Sequence, residues 1–274
     1  MQITNGNDLK NLKNNSFRGS VPELINSSIN FEGENNILVC ERGVTLKNSN
    51  ITFHSNNSIL FLSSNSHRYF VNISLNRSNV CFIGRNNYFN GLTTIVLSEA
   101  KNVVIGEDCM FSYNVVIRVS DGHVIYSSKT NERLNYSKSI YIGDHVWFGQ
   151  NVMVFKGARV GSGSIIGANS TISNKDVSSN STVAGSPVKL IAEDTFWTSD
   201  STHGWGEKEI NQHKKFKNDE FIYEPDSSSL DLDNVENELN TFANADSVLY
   251  YINNNIVDVG KNRFALKSSS FESK

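Results

Sequence analysis

From Ile142 to Leu190 a bulky apolar residue returns at every sixth position: Ile142, Phe148, Val154, Val160, Ile166 and Ile172, with weaker steps at Ser178, Ala184 and Leu190. The units read IGDHVW, FGQNVM, VGSGSI and IGANST, with a small residue at the fifth place (Val146, Val152, Ala158, Ser164, Ser170). A period of six matches neither the 3.6 of a helix nor the unbroken alternation of a long strand, so the chain has to turn at fixed intervals. A parallel β-helix meets that requirement. Each hexad is one short strand and a turn, three hexads close a triangular rung, and every bulky residue points inward. One rung cannot bury its own apolar face, so several must stack. The same register appears upstream at Ile105, Phe111 and Ile117, but Ile117 and Ile142 are 25 residues apart, one more than four hexads. An insertion is therefore expected at about residues 118–139.

Further upstream the apolar runs are short and separated by Asn, Ser and Gly: ILVC, VTL, ITF, ILFL, YFVNISL, VCFIG and TTIVL. Ile83, Phe89 and Ile95 keep the hexad while other spacings slip. These runs are expected to continue the coil back to residue 29 as irregular rungs with bulged corners. Residues 1–28 form a polar segment with at most a short helix from Asp8 to Leu12. The chain holds 38 Asn and only 3 Pro, and Asn tolerates the left-handed conformation that tight turns need. The interleaved Ile, Val, Leu and Phe argue against Asn-rich disorder. After Leu190 the pattern stops. Residues 192–274 are expected to form an extended segment, a polar helix, and a helix from about Asp233 with a capping box between Asp233 and Glu236; Val235, Leu239, Phe242, Leu249 and Ile252 fall near one face. This appendage lacks a core of its own and needs a surface to pack on.

A formal net charge of −3 gives no reason to expect DNA or an anionic membrane as partner. No apolar run reaches the length of a membrane span and the polar start does not read as a signal peptide, so the cytoplasm is the expected location. Cys40, Cys81 and Cys109 are an odd, scattered set, which points to buried small hydrophobes rather than a disulfide framework or a zinc site. There is no Gly-rich phosphate loop and no metal-ligand spacing.

The insertion begins SDGHVI, and loops on rigid scaffolds are where function concentrates. His123 alone reads more simply as a surface imidazole in a polar loop. Its context is more specific: SDGHVI, the loop, then IYIGDHVWFGQNVMVFKGARVGSGSIIGANSTISNKDVSSNSTVAGSPVKLI resembles the hexapeptide-repeat acyltransferases of the sugar O-acetyltransferase type over about residues 103–192. With the Asn-rich upstream coil, the chain is most similar to the polysialic acid and capsular polysaccharide O-acetyltransferases. The resemblance implies a left-handed coil, against the usual hand of parallel crossovers. It also implies a homotrimer with active sites between neighbouring coils, acetyl-CoA as co-substrate without a metal, a cell-surface glycan as acceptor, and direct transfer without an acyl-enzyme.

Carried onto this chain, the resemblance makes His123 the general base that takes the proton of an acceptor hydroxyl. Trp147, 24 residues later, would lie along the pantetheine arm or shape the acceptor pocket. Gln150 and Ala168 would contact pantetheine through their backbone, Lys175 and Lys189 would meet the nucleotide phosphates, and Pro187 would border the adenine. The chain departs from the family in SNKD, one residue longer before its Lys, and in Lys189, where Arg is frequent. A sugar hydroxyl is a poor nucleophile while neutral, and a base within hydrogen-bond reach is worth roughly 10²–10⁴ in rate. His145 occupies a middle polar position of its hexad and is expected as a solvent-facing turn residue. Asp121 is a candidate to orient His123 if the loop folds back. Trp197, His203 and Trp205 suit sugar stacking or, more simply, docking of the appendage on the coil. Three alternatives stay open: a small-molecule sugar or xenobiotic acetyltransferase, an amino-sugar N-acetyltransferase, and a non-catalytic β-helix assembly module.

Overall fold

The structure, a computed structural model, describes residues 1–241, 245–257 and 259–267. Parallel strands stack into three main sheets that the chain visits in rotation, with a separate two-stranded ladder near the start. The first face runs through Ser28–Phe31, Asn50–Phe53, Val71–Leu75, Thr93–Leu97, Val116–Arg118, Met153–Phe155 and Thr171–Ile172. The second runs from Ser16–Gly19 through Ile37–Cys40, Ile59–Leu62, Val80–Ile83, Val103–Ile105, Ile140–Ile142 and Arg159–Val160 to Asp176–Val177. The third holds Tyr88–Phe89, Met110–Phe111, Trp147–Phe148, Ile165–Ile166 and Thr182–Ala184.

Pairing registers measure the rungs. Val154 faces Ile172 and Ile142 faces Val160, 18 residues apart, as three hexads require. Upstream, Ile51 faces Ile73 and Ile73 faces Ile95, 22 residues apart. The N-terminal rungs are therefore a regular coil with a longer circumference, not a degraded version of the hexad. The coil also starts earlier than residue 29: Ser16–Gly19 pairs with Ile37–Cys40 and Glu23–Ile25 with Thr45–Lys47. Those first strands are only half covered, so polar side chains are tolerated there and hide the pattern. Gln2–Ile3 runs antiparallel to Ser28–Phe31, a 3₁₀ turn follows at Gly6–Asn11, and the buried Ile3 and Leu9 close the top of the coil.

Inside, like residues stack on like. The rings of Phe89, Phe111 and Phe148 lie 5.0 Å apart and nearly parallel. Cys40, Cys81 and Cys109 are buried, and desolvation pushes each thiol well above its ordinary pKa. Among the described residues seventeen non-glycine residues have positive φ, most of them at the corners, and eleven of the seventeen are Asn, which accounts for the composition.

The appendage covers the second face from outside. Helices α1 (Glu207–Gln212), α2 (Leu232–Thr241) and α3 (Ala245–Asn255) follow one another, and Leu232, Val235, Leu239, Val248 and Ile252 pack on Ile37, Ile59, Phe61, Val80, Phe82, Val104 and Tyr141. Strands buried on both sides are uniformly apolar, and ILVC, ILFL and VCFI belong to this face. The first face instead alternates, as in Val71–Leu75. The expected capping box is absent. The Asp231 carboxylate accepts the Asp233 and Asn234 N–H groups, while Glu236 turns to Lys101 and the Tyr141 hydroxyl, both at 2.8 Å, and ties α2 to the coil. Phe242 lies outside the described residues. Farther along, the buried Arg263 makes a fork to Asp144 at 2.7 and 3.1 Å and a further bond to the Ile256 carbonyl.

Candidate functional site

The inserted loop leaves the first face at Arg118 and re-enters the second at Ile140, so it rises from the corner between them. It is a built structure. Tyr126 and Arg133 form an antiparallel bridge, and the Ser127 N–H donates to the Glu132 carbonyl across the turn. Asn135, buried at the loop base, donates to the Asp121 carboxylate at 2.8 Å and the His123 carbonyl at 2.7 Å, and accepts the Ile125 N–H at 2.8 Å. Sequence reading missed it, because nothing separates a bracing Asn from a turn Asn in so Asn-rich a chain.

Two acids tie the loop to its own corner. Glu99 takes the Arg133 guanidinium at 2.7 and 2.9 Å and the Ser137 N–H, and bonds from Ser137 and Arg133 hold its carboxyl below the usual range. Asp121 takes Lys156 at 2.5 Å, and Lys156 and Asn135 hold its carboxyl low as well. Asp121 thus braces the loop through its carboxylate, which holds the Asn135 and Lys156 side chains. His123 itself is exposed, with its carbonyl fixed by Asn135.

Trp147 lies on the third face, pointing outward between Met110 and Ile165, and is 37% exposed. Gln150, Ala168 and Pro187 follow on successive rungs at the corner between the third and first faces, all exposed. The rungs approach closely there: a Cβ on Gly149 would come within 2.6 Å of the Ala168 nitrogen, and the Gln150 carbonyl accepts the Asn169 N–H. Lys189, exposed, starts the antiparallel strand Lys189–Ala192 that ends the third face. Lys175 is elsewhere. It sits on the loop's corner and, with Lys101, Lys138 and Arg159, lines a groove of about 730 Å³ against α2. Burial raises the Asp176 carboxyl in that groove, and Asp233 adds to the effect.

One chain therefore holds two groups of the expected site residues. His123 and Lys175 share one corner of the triangle. Trp147, Gln150, Ala168, Pro187 and Lys189 occupy the face opposite that corner and its far edge.

His145 is not the solvent-facing residue expected. It has the left-handed φ of a turn (+54°) but is buried, stacked between Trp197 and Phe221. The appendage, 52 residues away in sequence, covers what would otherwise be an open corner. Trp197 is the docking peg of its trio. Trp205 instead stacks on His213, and His203 is exposed beside Ser201.

Among the described residues no three His, Cys, Asp or Glu side chains gather as a metal site, and no helix is long and apolar enough to cross a membrane. Residues 139–174 match the family model described as bacterial transferase hexapeptide (six repeats). The crystal structure of the polySia specific acetyltransferase NeuO matches over 73% of this chain and 93% of its own, with 31% identity and a TM-score of 0.63. The chain belongs to the hexapeptide-repeat acetyltransferase family, and its coil is the left-handed β-helix of that family. In sequence it is similar to the polysialic acid O-acetyltransferases of Escherichia coli O1:K1 / APEC, 40% identical over 102 residues, and of Neisseria meningitidis, 48% identical over 103 residues. The matched stretches make up 37% and 38% of this chain, and the chain spans 33% and 48% of those two relatives.

Proposed function

We propose that this chain transfers the acetyl group of acetyl-CoA to a hydroxyl of an acidic cell-surface polysaccharide, with polysialic acid the first acceptor to test. The observation that carries the reading is the division of the site residues between two opposite sides of the coil, in a chain whose relatives are polysialic acid O-acetyltransferases. Side by side in a closed ring, the loop corner of one copy meets the third face and its far edge on the next. A head-to-tail contact of this kind closes by rotation, and three triangular coils make a homotrimer with three sites. Exposed apolar side chains stand on both sides of such a contact: Val124, Ile125, Tyr126, Leu134 and Tyr136 on the loop, and Tyr113, Trp147 and Met153 along the far edge.

In this arrangement His123 takes the proton of the acceptor hydroxyl as its oxygen attacks the thioester carbon, and CoA leaves as thiol. No acyl-enzyme forms. Trp147 flanks the pantetheine arm, Gln150 and Ala168 contact it along the edge, Lys175 and Lys189 face the phosphates, and Pro187 borders the adenine. The reaction requires no metal. Its donor is a cytoplasmic metabolite, so the cytoplasm is its place.

The test is release of CoA thiol from acetyl-CoA with polysialic acid, other capsular polymers and monosaccharides, using wild type and His123→Ala in parallel. Polymer-dependent release that the substitution abolishes supports the reading. Release with free monosaccharides alone would replace the acceptor by a small sugar, and a protein that neither binds nor turns over acetyl-CoA would be an assembly module.

A further inference from the structure

Four rings connect the appendage to the third face. The His145 imidazole lies 4.1 Å from Trp197 on one side and from Phe221 on the other, within 10° of parallel to both. Its Nδ1 hydrogen-bonds the Asp108 carboxylate at 2.6 Å and its Nε2 the Trp197 carbonyl at 2.9 Å, while Trp197 Nε1–H donates to the His145 carbonyl at 2.9 Å. The fourth ring is Trp147, 6.1 Å from Trp197 and inclined at 49°.

At the corner between the second and third faces the neighbouring rungs place a left-handed residue, Asn86, Asp108, Gly163 and Asn180. A small turn former therefore suffices for the backbone. The imidazole at this rung exceeds what the turn requires: Asp108 and Phe221 fix it, and its other face and Nε2 hold Trp197. An outward indole flanked along its sheet only by Met110 and Ile165 has several staggered rotamers open to it. Trp197, buried and fixed by reciprocal bonds, stands 6.1 Å from it on the side of that corner.

We infer that Trp197, held by the His145 ring and the bonds the two residues exchange, is a positioning residue for Trp147, and that the appendage thereby forms part of the active site. The inference rests on the reading of Trp147 as a site residue. The appendage would then act on turnover as well as on stability, because misplacing a group in a reacting complex by about 1 Å can cost roughly 10²-fold.

A double-mutant cycle tests it, with acetyl-CoA and polysialic acid as substrates and temperatures well below each melting midpoint. Trp197→Leu should lower kcat/KM about tenfold in the wild-type background and cost little further in Trp147→Phe, since two residues acting through one contact do not add. Equal losses in both backgrounds are what a purely structural role gives, and would overturn the inference. If Trp147→Phe keeps full turnover, Trp147 is not a site residue, and the inference falls with that reading rather than by itself. A readout without turnover uses His145→Asn, which keeps the left-handed corner and removes the clamp. The far-ultraviolet exciton couplet of the two indoles should collapse, and its persistence would overturn the clamp.

Discussion

At the scale of single residues, His123 is held by its backbone and left free at its ring. The Asn135 amide fixes the His123 carbonyl and the Ile125 N–H, so the imidazole is presented from a braced loop without being buried. That combination suits a proton acceptor, which has to be placed but must also exchange its proton with water. Replacing His123 by Ala should leave the fold, the oligomer and acetyl-CoA affinity intact and lower turnover by roughly 10²–10⁴. Calorimetric titration of acetyl-CoA beside a thiol-release assay checks both halves, and a loss of affinity equal to the loss of rate would place His123 in cofactor binding instead. The three buried thiols should resist alkylation in the native protein and react once it is unfolded, which a mass-spectrometric count of labelled cysteines reads directly.

At the scale of elements, the loop and the appendage are both tied to the coil by charge, with different consequences. Glu99 and Asp121 are held below their ordinary pKa values by the groups that pin the loop. A carboxyl depressed in the folded state contributes stability above its unfolded pKa and loses it as pH falls through the folded one. The loop should therefore stay docked from neutrality to about pH 4, where ordinary carboxylates begin to protonate, and loosen only below that. Amide exchange in residues 125–137, corrected for the intrinsic rate at each pH, follows this, and loosening that begins near pH 6 would contradict it. The appendage depends on Arg263, buried against Asp144. Removing one partner of a buried pair strands the other, so Arg263→Ala should cost about 3–5 kcal/mol in chemical unfolding.

The same two elements show what was legible in the sequence. The hexads revealed the loop because an insertion breaks a fixed count, whereas the runs ILVC, ILFL and VCFI read only as further rungs, and their burial on both sides became evident with the structure. The 22-residue rungs were harder to read because the added residues are polar corner residues that keep the inward apolar positions but not their spacing. The fate of His145 was illegible for a different reason: its turn conformation is local, but its burial is decided by Trp197 and Phe221, far along the chain.

At the scale of the molecule, the order in which the chain visits the faces decides how many copies a site requires. Val116–Arg118 is a first-face strand, the loop follows it, and Ile140–Ile142 opens the second face before Trp147–Phe148 on the third. Counting hexads by threes therefore puts His123 and Trp147 on opposite sides of any three-sided coil, a consequence available in the sequence once the rung was known. If each site joins the loop corner of one copy to the third face of the next, the two residues are contributed in trans. Chains carrying His123→Ala and chains carrying Trp147→Ala would each be inactive alone. Unfolded together and refolded as mixed rings, they would regain activity at each contact that brings an intact His123 to an intact Trp147. Thiol release from the mixture, set against either variant refolded alone, measures that recovery. A mixture as inactive as its components would mean that His123 and Trp147 of the same chain serve one site, which would require the loop to leave its corner and reach across the coil.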